Sequence, residues 1–255
     1  MSRFLDSHLP PVDLHAHIAP DVTTEQLAQI SPSVTFAVTR SLREADAVRS
    51  RTDDGVIWGC GVHPGVREAL TDYDQAEFQR LLADFMFVGE VGLDARGGAA
   101  QLQRDVLESV LEVASTRNVI ISLHSSGRSR QVVELLERHQ PAGAVLHWFT
   151  GDPDLVARAT AAGAYFSVNS SAKDELLRSL PHERVLTETD FPSTKRTGSR
   201  LPAHVEIIEA RLATLWAEEP RDLRRCLWRN LRGLAQASHT LSRFPRSVAQ
   251  TLIGA

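Results

Sequence analysis

The chain has 255 residues, 42% of them hydrophobic and 24% charged, with a formal net charge of −4. This excludes a disordered, collagen-like or coiled-coil chain and gives no broad basic surface of the kind a non-specific duplex binder presents. Two cysteines, Cys60 and Cys226, with no CxxC spacing exclude a disulfide framework and a cysteine zinc site, and the absence of a ~20-residue apolar run or an apolar leader predicts a cytoplasmic protein with no membrane partner.

Eight short apolar runs follow one another, separated by stretches of helical period. The first, 12–17 (VDLHAH), carries an HxH pair. Residues two apart on a strand face the same side, so His15 and His17 are expected to point together, with Asp13 on that side too. The second, 34–38 (VTFAV), leads into an amphipathic stretch through Leu42, Ala45, Val48 and Arg49. The third, 56–62 (VIWGCGV), runs into His63. The fourth, 86–91 (MFVGEV), places Glu90 among apolar neighbours, where an uncompensated carboxylate is costly and a cation removes the cost. Helical spacing follows at Leu102, Val106, Val110 and Val113. The fifth run, 119–124 (VIISLH), and the sixth, 143–148 (GAVLHW), carry His124 and His147 at their ends, and the seventh is 164–168 (AYFSV). The eighth, 184–190 (RVLTETD), ends with Glu188 and Asp190, a pair in which one residue can ligate or accept a proton while the other orients it.

Nearly all-apolar strands alternating with helices are parallel strands covered by helices. Eight such units predict an α/β fold closed as a single (β/α)8 TIM barrel, and no GxGxxG follows the first strand as in a doubly wound dinucleotide-binding sheet. The chain is read as one domain, 1–255, with its core at about 12–236. Extra C-terminal helices are expected at 205–216 and 223–234, and the tail 237–255, without a clear period, is expected to dock on the barrel exterior or fray. The C-terminal ends of barrel strands converge on the face that carries active sites, so His15, His17, His63, Glu90, His124, His147 and Asp190 are expected to meet there. Imidazole and carboxylate without thiolate suit Zn²⁺, Mn²⁺ or Mg²⁺ and are compatible with two ions. Two close ions need a bridging anion, and Glu90 is the natural one, since no lysine ends the fourth strand.

In order along the chain, DLHAH, GVHP, GEVGLD, ISLHSSGR, AVLHWFTG, TETDFP and WRNLRGLA resemble the TatD family of metal-dependent deoxyribonucleases, within the amidohydrolase-type barrels. The likeness spans about 12–236. Within the family it is strongest to the QatD group, the TatD-like component of the four-gene Qat anti-phage defence system, through VLHWFTG, YFSV and RVLTETDFP. TatD nucleases commonly have Cys or Thr where this chain has Trp148.

The resemblance implies that His15, His17, Glu90 and Asp190 hold one divalent ion and that Glu90, His124 and His147 hold the second. It also implies that His63 contacts the substrate phosphate or stands behind the ligands, as Glu188 and Asp13 would. The expected reaction is hydrolysis of DNA phosphodiesters, from strand ends or on single strands, by a water activated at two metals, with Asp190 orienting that water and taking its proton. Cations in the loops fit a phosphate-bearing substrate: Arg96, Arg128, Arg130, Lys173, Lys195, Arg196 and Arg200. Arg128 and Lys195 are the preferred contacts, and Trp148 and Phe191 are placed to stack a terminal base. An amidohydrolase or esterase acting on a small molecule, and a metal-bound scaffold subunit working with other Qat proteins, remain alternatives.

Overall fold

The computed structural model of the chain describes residues 9–254. Residues 1–8, read above for the absence of an apolar leader, and Ala255 lie outside the described residues. The eight expected strands all form: β1 (Val12–His17), β2 (Val34–Val38), β3 (Val56–Trp58), β4 (Phe87–Gly92), β5 (Ile120–His124), β6 (Ala144–His147), β7 (Tyr165–Val168) and β8 (Val185–Thr187). The connections hold α1 (Thr24–Ala28), α2 (Leu42–Val48), α3 (Arg67–Thr71), α4 (Gln75–Leu82), α5 (Ala100–Ala114), α6 (Ser129–His139), α7 (Pro153–Ala161) and α8 (Asp174–Ser179). After β8 come α9 (Thr194–Thr197), α10 (Glu206–Trp216), α11 (Pro220–Ala237) and α12 (Arg246–Gly254).

Parallel ladders join β1–β2–β3 and β4–β5–β6–β7–β8. Two isolated bridges complete the circle, Cys60 with Val88 between the third and fourth strands and Ala16 with Phe191 between the eighth and first. The fold is therefore the expected barrel with extra C-terminal helices.

The third and eighth strands are shorter than the apolar runs that announced them. Beyond Trp58 the Thr39 side chain takes over from a backbone ladder, its hydroxyl donating to Gly59 O (3.0 Å) and accepting from Gly61 N (2.9 Å). A Cβ at Gly61 would collide with Thr39 O and Glu90 N, so only glycine lets these three strands close together. Beyond Thr187 the chain turns, and Asp190 adopts a left-handed conformation (φ 47°) while its amide donates to His15 O (2.9 Å).

Two apolar layers follow from strand alternation. One face of the strands, including Ala37, Trp58, Val88, Ile121, Leu146 and Phe166, packs under the helices. The other, including Phe36, Ile57, Phe87, Ile120, Val145 and Leu186, fills the barrel and continues into Trp228 and Leu231 of α11. Of the two outcomes expected for the tail, docking or fraying, it docks. It forms α12, whose Val248 and Leu252 are buried in this same inner layer at the N-terminal ends of the strands. Only two buried anchors four residues apart face the barrel, too few for a visible period.

Alternation is broken in two strands. The pairing register shifts between Asp13 and Ala16 in β1, and between Val88 and Val91 in β4. Such irregularities insert a residue and re-aim the side chains beyond it.

Candidate metal centre

The C-terminal strand ends surround a cavity of about 1170 Å³. At its floor Glu90, 1% exposed, is approached from five sides by imidazoles. His15 Nε2 lies 3.6 Å from Glu90 Oε2 and 3.8 Å from Asp190 Oδ1. His17 Nε2 lies 3.3 Å and 3.6 Å from the same two oxygens. His63 Nε2 is 3.2 Å from Glu90 Oε2, His147 Nε2 is 3.7 Å from Glu90 Oε1, and His124 Nδ1 hydrogen-bonds Glu90 Oε1.

Most of these separations are too long for hydrogen bonds but suit donors sharing a cation at about 2.0–2.2 Å from each. His15 Nε2, His17 Nδ1 and Glu90 Oε2 are buried without a hydrogen-bond partner among the described residues. Orphaned atoms of this kind need an explanation, and a divalent ion between His15 and Glu90 supplies one. Among the described residues, three groups have ligand atoms close enough to share an ion: His15 with His147 and Asp190, His15 with His17 and Glu90, and His63 with Glu90 and His124.

Behind these atoms a set of acceptors and donors fixes the rings. His15 Nδ1 bonds Ser122 Oγ (2.7 Å), His124 Nε2 bonds Asp94 Oδ2 (2.9 Å) and His147 Nδ1 bonds Glu188 Oε2 (3.0 Å). Glu188 also accepts from Trp148 N (3.1 Å), Asn169 Nδ2 (2.9 Å) and Ser167 Oγ. The two acids of TETD differ in their surroundings: Glu188 is saturated by donors, whereas Asp190 accepts from Ser193 Oγ on Oδ2 (2.8 Å) and turns Oδ1 to the cluster. His63 Nδ1 accepts the Gly65 amide (2.8 Å), so a neutral ring carries its proton on Nε2 and presents a donor, not a lone pair, to the cavity.

At Glu90 and His15 the electrostatics match a cation site. Burial alone would raise the Glu90 carboxyl, but the hydrogen bond to His124 and the neighbouring His15 and His17 outweigh it and hold it well below the ordinary carboxylate range. His15 is held well below the usual imidazole value by burial and by His147, stacked on it at 3.6 Å. A charged carboxylate and a neutral imidazole are the forms that ligate metal. Burial works against protonation of His147, yet the Glu188, Asp190 and Glu90 carboxylates lift it to about 10. Burial, with Glu188 and Glu90 adding to it, raises Asp190 against the opposing charge of His147.

Asp13 departs from the same-side expectation. Because the β1 register shifts beyond it, its carboxylate turns away from the cavity and accepts from Thr189 N (2.8 Å), Thr189 Oγ1 (2.6 Å) and Ala203 N (2.8 Å). Burial pushes it to about 7 despite these donors. It ties β1 to the end of β8, next to Asp190. Of the four residues expected at the substrate, Trp148 lines the cavity while Arg128, Lys195 and Phe191 do not. Arg128 occupies the start of α6, and Phe191 packs against the outer apolar layer. Lys195 and Arg196 are consecutive on one helical turn and cannot face the same way; Arg196 is the one that lines the cavity, with Arg96 and Arg40. Sequence reasoning passed over Asp94, Ser122 and Asn169. Asp94 lay within the quoted GEVGLD, four residues past Glu90, and Ser122 two residues before His124 on the same strand face.

The pattern of the TatD related DNases matches residues 12–236. The chain belongs to this family. Deoxyribonuclease TATDN3 of Homo sapiens is 27% identical over 219 residues, covering 71% of this chain and 78% of that protein. The 3'-5' ssDNA/RNA exonuclease TatD of Citrobacter koseri is 30% identical over 158 residues, 54% of this chain and 61% of that one. Among solved structures, YjjV, a TatD homologue from Escherichia coli K12, superposes with a TM-score of 0.75 at 22% identity, covering 88% of this chain and 96% of that chain, which supports the fold. As a TatD-family protein the chain is a metal-dependent hydrolase, and no described helix is long and apolar enough to cross a membrane.

Proposed function

We propose that this TatD-family chain, acting as one domain, is a nuclease that hydrolyses DNA phosphodiesters from strand ends or on single strands with two divalent ions, Zn²⁺, Mg²⁺ or Mn²⁺. The observation that carries the reading is the orphaned pair His15 Nε2 and Glu90 Oε2, 3.6 Å apart at the floor of a cavity rimmed by arginines. His15, His17, Glu90 and Asp190 would hold one ion, and Glu90, His124 and His147 the other. When bound, such ions polarise the phosphoryl group and lower the pKa of water so that it attacks at neutral pH.

The side chains divide the remaining work. Asp190 Oδ1 orients the attacking water and accepts its proton, while Ser193 holds the other carboxylate oxygen. Attack forms one P–O bond as the bond to the leaving sugar oxygen breaks. His63 Nε2–H donates to a phosphoryl oxygen, its tautomer set by Gly65 N–H. Glu188 and Asp94 hold His147 and His124 in the orientation a ligand needs. The exonuclease named in Citrobacter koseri supports action at strand ends.

Membership of the QatD group, a cytoplasmic role in anti-phage defence and partnership with other Qat proteins form part of the same reading. The QatD and defence parts rest on VLHWFTG, YFSV and RVLTETDFP, and the cytoplasmic part on the lack of a long apolar run. End-labelled single- and double-stranded DNA incubated with Mg²⁺, Mn²⁺ or Zn²⁺ tests the activity, with the double variant Glu90→Ala/His124→Ala as control. Metal-dependent laddering from one end, absent in the variant, is expected. Full metal occupancy without cleavage of any polynucleotide would overturn the nuclease reading and turn attention to small-molecule amides or esters. Phage plating on cells carrying Asp190→Ala tests the defence role, which requires that protection be lost.

A further inference from the structure

The nuclease reading leaves open what grips the strand beside the reacting phosphate, and the inference here rests on that reading. Among the described residues, three arginines line the cavity. Arg40 is committed, its guanidinium held by both oxygens of Glu44 (2.6 and 3.0 Å to Oε1, 3.4 Å to Oε2). Arg196 has no ion pair or side-chain hydrogen bond among the described residues. Its guanidinium carbon instead lies 5.5 Å from the centre of the Trp148 indole, within cation–π range.

The backbone under Arg196 is pinned on both sides. Its amide donates to Ser193 O (2.9 Å) and its carbonyl accepts from Ser171 Oγ (2.7 Å), while the neighbouring Thr197 carbonyl accepts from Ser170 Oγ. Ser193 in turn donates to Asp190, so the turn bearing Arg196 is built onto a cluster acid. Trp148 is fixed equally firmly: its amide donates to Glu188, and its ring meets His147 edge-on, centroids 6.4 Å apart. An arginine set over an indole keeps its in-plane N–H groups free for an anion, and an ordered guanidinium loses less freedom on binding than a solvated one.

We propose that Arg196 is the phosphate fork for the nucleotide flanking the scissile bond, and that Trp148 is a positioning residue that holds this fork rather than a platform for a base. Arg96, exposed after β4 and four strands round the barrel from β8, stands across the mouth from it. The strand then crosses the metal cluster from the Arg96 side to the Arg196 side.

The test measures KM and kcat on a short single-stranded oligonucleotide, and its equilibrium affinity by anisotropy across a salt series, for the wild-type protein, Arg196→Ala, Arg196→Lys, Trp148→Ala and the double variant. Arg196→Ala is expected to raise KM and the dissociation constant about tenfold with kcat changed less than threefold. It should also reduce the slope of log affinity against log salt by about 0.7, the signature of one lost phosphate contact on a single strand. Arg196→Lys should keep that slope. Trp148→Ala should raise KM to a similar degree, and the double variant should be no worse than Arg196→Ala alone, because both act on one contact.

An unchanged salt slope and KM in Arg196→Ala, with the wild-type protein cleaving normally, would overturn the proposal and leave the nuclease reading intact. Multiplying effects in the double variant would overturn the positioning role of Trp148. A wild-type protein that neither binds nor cleaves the oligonucleotide would sink both. Melting temperatures of the four variants identify any loss due to misfolding, and Arg196→Lys then carries the comparison.

Discussion

Glu188 accepts hydrogen bonds from an imidazole, a backbone amide, a carboxamide and a hydroxyl, and so spends all its acceptor capacity on holding His147 and the loop beside it. A glutamine of the same shape must turn its NH₂ group against donors. Glu188→Gln is therefore expected to weaken metal affinity by about 10- to 100-fold, measured by calorimetric titration of the metal-stripped protein; wild-type affinity would mean that His147 needs no such support. The cysteines give a second expectation at this scale. Burial pushes the Cys60 thiol from 9.0 up to about 12 and raises Cys226 as well. Neither forms much thiolate at pH 8, so a thiol reagent should find no fast-reacting group in the folded protein and both after denaturation. The linked effect on stability has a definite sign: above pH 9 the unfolded chain ionises Cys60 and the folded chain does not, so stability falls as pH rises towards 12.

Among the elements, α12 does unexpected work. Leu252 is fully buried against the inner layer, at the end of the barrel away from the cavity. Leu252→Ala should cost about 2–5 kcal/mol in a urea titration while leaving metal affinity unaltered; a loss under 1 kcal/mol would mean that α12 packs only loosely. The same helix marks where the sequence was hard to read. Continuous apolar runs identify a strand buried on both faces, which is why all eight were visible, and histidines at their ends stood out because so few polar residues occur there. Two apolar anchors on a short tail make no such pattern. Strand counting also assumed that alternation persists from Asp13 to His17, and the register shift in β1 breaks that assumption. The loop's letters favoured Lys195 over Arg196, and only the helical turn of α9 brings Arg196 to the cavity instead.

For the molecule as a whole, the barrel sets buried acids and imidazoles at one end and an apolar plug of α11 and α12 at the other. A bound cation interacts with the folded chain alone, since the unfolded chain scatters its ligands along 12–190. Removing metal with a chelator should lower the melting temperature by about 5–10 °C relative to protein holding metal at a hundredfold excess over its dissociation constant. Scanning fluorimetry would read the shift, and an unmoved transition would argue that no ion occupies the cluster. The register shifts in β1 and β4 bear on how such a protein changes over time. Each separates the part of a strand that packs inside the barrel from its end, and His15 and Glu90 stand within the shifted stretch itself. The two halves are out of phase, so substitutions that remodel the interior around Phe36 or Phe87 need not swing the ligands away from the mouth. The metal cluster is thereby insulated from drift in the packing beneath it, and sequences far apart in their interiors can keep one arrangement of ligands.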